Sequence, residues 1–105
     1  MEPNRSATDA ALDAIARASP VYDPIVVLKR EDEVIVVARV GMKSTQRFMI
    51  LNGAGQPAWK HEPLGSLSDV GWALRAHHWH TADLEPTGHN QRIAKALARL
   101  LKERA

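Results

Sequence analysis

Two runs of mostly β-branched residues, Ile25-Val26-Val27-Leu28-Lys29 and Val34-Ile35-Val36-Val37-Ala38-Arg39-Val40, flank the charged link Arg30-Glu31-Asp32-Glu33. Side chains branched at Cβ pack well on a pleated surface and lose rotamer freedom in a helix, so both runs read as strands. The link is short enough for an antiparallel hairpin. In both runs apolar residues follow one another instead of alternating with polar ones. A strand with one solvated face alternates, whereas apolar residues at successive positions imply that both sheet faces are covered. Helices of the same chain, a second copy in a homodimer, or another protein must supply that cover.

The flanking segments supply helices. Ser6 to Ala18 is rich in Ala, with Ser6 as a possible N-cap and Leu12, Ile15 and Ala16 on an apolar stripe; Ser19-Pro20 stops it. After the hairpin come a loop, Gly41 to Thr45, and a third strand, Gln46 to Leu51. The turn Asn52-Gly53-Ala54-Gly55-Gln56-Pro57 leads to a short fourth strand over Ala58 to His61, ending near Pro63. Leu67 to about His80 reads as a helix with Ser66 or Ser68 as N-cap and Asp69 in its first turn. Glu85-Pro86-Thr87-Gly88 breaks the chain. Asn90 to Arg104 is the last helix, with Ile93, Ala96, Leu97, Leu100 and Leu101 on one apolar stripe. The expected fold is α+β: an N-terminal helix, a three- to four-stranded antiparallel β-meander, and two C-terminal helices packed on the sheet. At 105 residues this is one domain, 1–105, with 1–5 expected to be disordered.

There is no cysteine, which removes disulfides, thiolate metal sites and cysteine nucleophiles and fits a reducing compartment. The polar start, Met1-Glu2-Pro3-Asn4-Arg5-Ser6, lacks the pattern of a secretory signal, and the apolar runs are too short to span a membrane. A cytoplasmic protein with no membrane partner is expected. The small size, the missing cysteine and the Ala/Arg-rich helices match the composition of small accessory proteins of high-GC bacteria and their phages or plasmids. No Gly-x-Ser-x-Gly, Walker loop or dinucleotide fingerprint occurs, and Gly53-Ala54-Gly55 fits a hairpin turn better than a phosphate loop. Nothing marks an enzyme, and no cofactor is implied.

All five histidines and all three tryptophans fall between Trp59 and His89. At about 100° per residue, Leu67, Val70, Gly71, Leu74 and His78 share one face of a Leu67–His80 helix, and Trp72, Arg75, Ala76 and Trp79 share another. Trp and Arg dominate many protein interfaces, so Trp72, Arg75 and Trp79 are the candidate partner-binding residues. The plain alternative is that the indoles complete the core. His77 and His80, three residues apart, are a candidate metal pair, with His61, Glu62, Asp83 or His89 as further ligands, but no metal-binding spacing supports them.

The net charge of +2 is unevenly placed. The last helix carries Arg92, Lys95, Arg99, Lys102 and Arg104 against Glu103, while the chain before it is net acidic. Arg92, Lys95, Arg99 and Lys102 form a stripe beside the apolar face and are the candidate nucleic-acid-binding residues. A solvated helix face explains them equally. The connection from Thr81 to His89 is long for a helix-turn-helix, and the stripe is poor in base-reading residues, so such binding would be largely sequence-independent. The leading expectation is a small non-enzymatic protein–protein interaction or regulatory module docking through the Trp/Arg helix face. The alternative is a nucleic-acid-binding protein, and the third reading is a histidine-based metal-binding regulator.

Overall fold

A computed structural model of the chain describes residues 7–18, 21–31, 33–41, 47–59, 63–87 and 90–102. Element order is α1 (Ala7–Ala18), β1 (Asp23–Arg30), β2 (Glu33–Val40), β3 (Arg47–Asn52), α2 (Leu67–Ala76), a 3-10 turn (Thr81–Asp83), β4 (Leu84–Pro86) and α3 (Gln91–Lys102). The strands form one antiparallel sheet in the order β3-β2-β1-β4. The fold is α+β, as the sequence predicts. The proposed N-cap Ser6 and the N-terminal residues 1–5 lie outside the described residues.

The unbroken apolar runs divide cleanly between the two faces of the sheet. Val26, Leu28, Ile35, Val37, Phe48 and Ile50 meet Val70 and Leu74 of α2, Ala94 and Leu97 of α3, and Trp79. Val27, Val34, Val36, Ala38, Met49 and Leu51 meet Ala11 and Ile15 of α1, with Leu12, Tyr22 and Val40 at the margin. Side chains alternate across a strand, so each run fills two cores at once. A bulge between Pro24 and Val26 adds one residue to β1, and Ile25 joins Val26 in the first core. Both faces are thus covered within one chain, with α1 on one side and α2 and α3 on the other, and a second copy is not needed to account for the pattern.

The hairpin between β1 and β2 closes with Arg30 opposite Glu33. Glu31 takes a left-handed φ of 46°, the backbone that tight hairpins use to match strand twist. At the end of β3, Asn52 Oδ1 accepts the N–H groups of Ala54 and Gln56 at 2.8 and 3.1 Å and folds the chain back on itself. Gly55, at φ 84°, sits so close to α1 that a Cβ there would come within 2.9 Å of the Ala14 carbonyl oxygen.

The fourth strand is not where the sequence predicts it. Residues 57 and 64 make only isolated bridges to Leu51 and Phe48, Ala58 and Trp59 are irregular, and residues 60 and 61 of the expected strand lie outside the described ones. Pro57 and Pro63 have no N–H to give to a ladder. β4 comes instead from Leu84-Glu85-Pro86, of which Glu85 and Pro86 belong to the segment read from the sequence as a break, with Leu84, Glu85 and Pro86 opposite Leu28, Val27 and Val26. A three-residue edge strand tolerates proline at its end, and Thr87 fastens it: its N–H donates to the Ile25 carbonyl at 3.3 Å and its Oγ1 to the Pro24 carbonyl at 2.9 Å.

Candidate functional site

The Trp/His segment begins on α2. Ser66 caps it, its hydroxyl accepting the Asp69 N–H at 3.2 Å. Val70, Gly71 and Leu74 are buried, as the predicted core face requires. Gly71 lets α2 lie against α3, since a Cβ at this position would be 3.0 Å from Leu100 Cβ. Across the same crossing Arg75 donates from Nη1 to the Leu100 carbonyl at 3.1 Å, near the end of α3, where a cation also suits the helix dipole.

The helix ends at Ala76 rather than near His80, and this changes every assignment beyond it. His77 is the C-cap, and His78 adopts a left-handed φ of 66°. His78 N–H donates to the Arg75 carbonyl and Trp79 N–H to the Leu74 carbonyl, both at 3.0 Å. This pair of bonds is the Schellman arrangement, in which a left-handed residue reverses the chain and the next residue packs back on the helix. Trp79 is that next residue. It shares the core with Leu74 and is only 2% exposed.

Trp72, Arg75 and Trp79 therefore do not share a face. Trp72 is 65% exposed, Arg75 is half-buried against α3, and Trp79 is core. Of the two indoles, Trp79 follows the plain alternative. Its Nε1–H has no hydrogen-bond partner among the described residues, a cost of about 1–3 kcal/mol that ring burial must outweigh.

Arg30, at the end of β1, is a residue that sequence reasoning passes over as a solvated hairpin charge. Its guanidinium lies over the Trp79 ring, 3.9 Å from the centroid. Nη1 donates to the His78 carbonyl at 2.8 Å and Nη2 to the His77 carbonyl at 3.3 Å, while Glu33 accepts from Nε and Nη2. One side chain thus covers an aromatic face, satisfies two carbonyls at a helix end and pairs with a carboxylate. Trp59 is half-buried and stacks on His77 with ring centroids 3.7 Å apart and planes 5° from parallel.

The proposed metal pair loses its geometric basis. His77 caps α2 and stacks on Trp59, whereas His80 lies beyond the reversal at His78, so the two are not neighbours on one helix face. Asp83 is already engaged, its Oδ2 accepting the His80 N–H at 2.9 Å. Among the described residues no group of three or more His, Asp or Glu could hold a metal ion. His61, Glu62 and His89 lie outside them.

On α3 the predicted amphipathic pattern holds except that Ala94, not Ala96, belongs to the core face. Ala94 and Leu97 are buried, Ile93, Leu100 and Leu101 are partly buried against the same core, and Arg92, Lys95, Arg99 and Lys102 are all exposed. Arg104 lies outside the described residues. α2 flanks one side of α3, and the 3-10 turn with β4 flanks the other, where Thr81 Oγ1 reaches the Ala98 carbonyl at 3.5 Å. A shallow cleft of about 270 Å³ runs there between Thr81 and the α3 residues Lys95, Ala98, Arg99 and Lys102, and it continues onto Leu84, Gln91 and Ala94. The sequence places the cations correctly but does not reveal the cleft, because the neighbouring wall depends on β4.

No helix is long and apolar enough to cross a membrane among the described residues. Comparison of the chain with protein-family models, with curated proteins and with solved structures finds no match.

Proposed function

We propose that this chain is a small non-enzymatic interaction module that docks another protein through the α2 surface centred on Trp72 and edged by Arg75. The observation that carries the reading is the 65% exposure of the Trp72 indole on a helix whose opposite face is locked into the core. Tryptophan has a large apolar surface and loses little side-chain entropy on docking, and it is the residue type most enriched among those that dominate interface energies. Leaving it in water on a rigid element contributes little to the fold and leaves a preformed anchor. Arg75, held against the Leu100 carbonyl, sits one turn further along the same helix. Trp79 has no part in this surface; it sets where α2 ends.

The test is site-specific photo-crosslinking in the source cell. A photoreactive phenylalanine analogue replaces Trp72, and a control carries it at the exposed Lys29 of β1. A discrete crosslinked species at position 72 that is missing at position 29 is the expected result. Equal labelling at both positions, or none at 72 in a folded protein, would overturn the reading.

A further inference from the structure

The cleft on the other flank of α3 presents a different chemistry, separate from and independent of the Trp72 surface. Its floor is apolar, made by Leu84 at the sheet edge and by Ala94 and Ala98 of α3. Its rim is cationic, made by Lys95, Arg99 and Lys102, all exposed. None of the lining residues is acidic, and the three cations have no ion-pair partner among the described residues. We propose that this cleft docks an acidic segment of a partner protein, one that carries an apolar side chain between its carboxylates.

Charge complementarity selects the sign of the partner, and the floor selects its class. The cations lie on successive turns, and Lys95 and Lys102 are about 10 Å apart along the helix axis. Carboxylates one or two turns apart on a partner helix meet that spacing. A phosphate backbone would satisfy the cations but leave the alanine and leucine floor against solvated sugar. The lining also lacks the aromatic side chains on which unpaired bases stack. An aliphatic side chain seated on Leu84, Ala94 and Ala98 buries apolar surface on both partners, which is where such an interface gains affinity beyond charge.

The experiment is fluorescence anisotropy on the intact chain with three probes. The first is a labelled peptide in which leucines alternate with pairs of glutamates, the second is polyglutamate of the same length, and the third is a short DNA duplex. The leucine-bearing peptide is expected to bind at least about tenfold more tightly than polyglutamate, a difference that one buried aliphatic group can supply. The double reversal Lys95→Glu with Arg99→Glu should abolish its binding, while Lys29→Glu, a single reversal on β1 away from the cleft, leaves it intact. Ala98→Gln should crowd the floor and bring the peptide down toward polyglutamate. Circular dichroism of each variant establishes that α3 is still formed. Equal binding of peptide and polyglutamate, tighter binding of duplex than of peptide, or an unchanged affinity in the double reversal would each overturn the proposal. The second of these outcomes would assign the stripe to nucleic acid.

Discussion

The Arg30 guanidinium rests 3.9 Å from the centroid of the Trp79 ring, joining the first hairpin to the end of α2 across nearly half of the sequence. Trp79→Ala removes a buried aromatic and should cost about 3–5 kcal/mol in urea unfolding. Arg30→Ala should cost about 2 kcal/mol, through the stacking and the carbonyl bonds together. Arg30→Lys should recover less than half of that, because an ammonium cannot reach two carbonyls as a planar fork while covering the ring. Full recovery by lysine would mean that only the charge matters.

His78 supplies a second prediction. It holds a left-handed backbone that an L side chain adopts at a cost of roughly 1–2 kcal/mol, and its side chain is exposed. Glycine removes that cost but adds unfolded-chain freedom of roughly 0.5–1 kcal/mol. His78→Gly should therefore stabilise the chain, by about 0.5–1 kcal/mol. A lowered unfolding midpoint would show that the imidazole contributes to the fold in another way.

Gly71 reverses the usual expectation for a glycine within a helix. Alanine there gains roughly 0.5–1 kcal/mol of helix stability, but its methyl would press on Leu100 Cβ at 3.0 Å, an atom tied to the α3 backbone. Overpacking of this kind typically costs about 1–3 kcal/mol, so Gly71→Ala should be a net loss of about 1 kcal/mol. Thermal unfolding of that variant measures it, and a rise in midpoint would mean that the two helices have slack.

The turn after β3 offers a paired comparison. At Gly55 a Cβ meets the Ala14 carbonyl oxygen at 2.9 Å and the backbone is left-handed; at Gly53 nothing lies within 4 Å. Gly55→Ala should destabilise by more than about 1 kcal/mol, whereas Gly53→Ala should stay within about 0.5 kcal/mol of wild type. Similar losses at both positions would contradict the close approach of turn and α1.

Core and surface on α2 separate in the same way. Leu74 is fully buried, and Leu74→Ala should cost about 2–5 kcal/mol. Trp72→Ala, on the exposed face, should shift stability by no more than about 0.5 kcal/mol. A large loss at Trp72 would move the second indole into the fold as well.

The hairpin, β3, α1 and the amphipathic α3 were legible because each shows its own period or propensity over many residues. The run Val34–Ala38 even anticipated that two cores flank one sheet. The end of α2 was not legible. Arg75-Ala76-His77-His78-Trp79 contains neither glycine nor proline, and helical periodicity continued through it would set Trp79 beside Trp72. The stop is enforced from outside, by Arg30 on the carbonyls of His77 and His78 and by the burial of Trp79. β4 was hidden for a similar reason: Leu84-Glu85-Pro86 is a strand only because β1 offers it a free edge.

Both margins of the sheet are consequently poor templates for another strand. β3 is shielded by backbone bonds to Gln56, Ala58 and Leu64, and β4 is only three residues long and ends in proline. A long bare margin is where β proteins polymerise. With both margins curtailed, growth along the hydrogen-bonding direction finds few free backbone groups on the described strands, and an added strand has little to pair with.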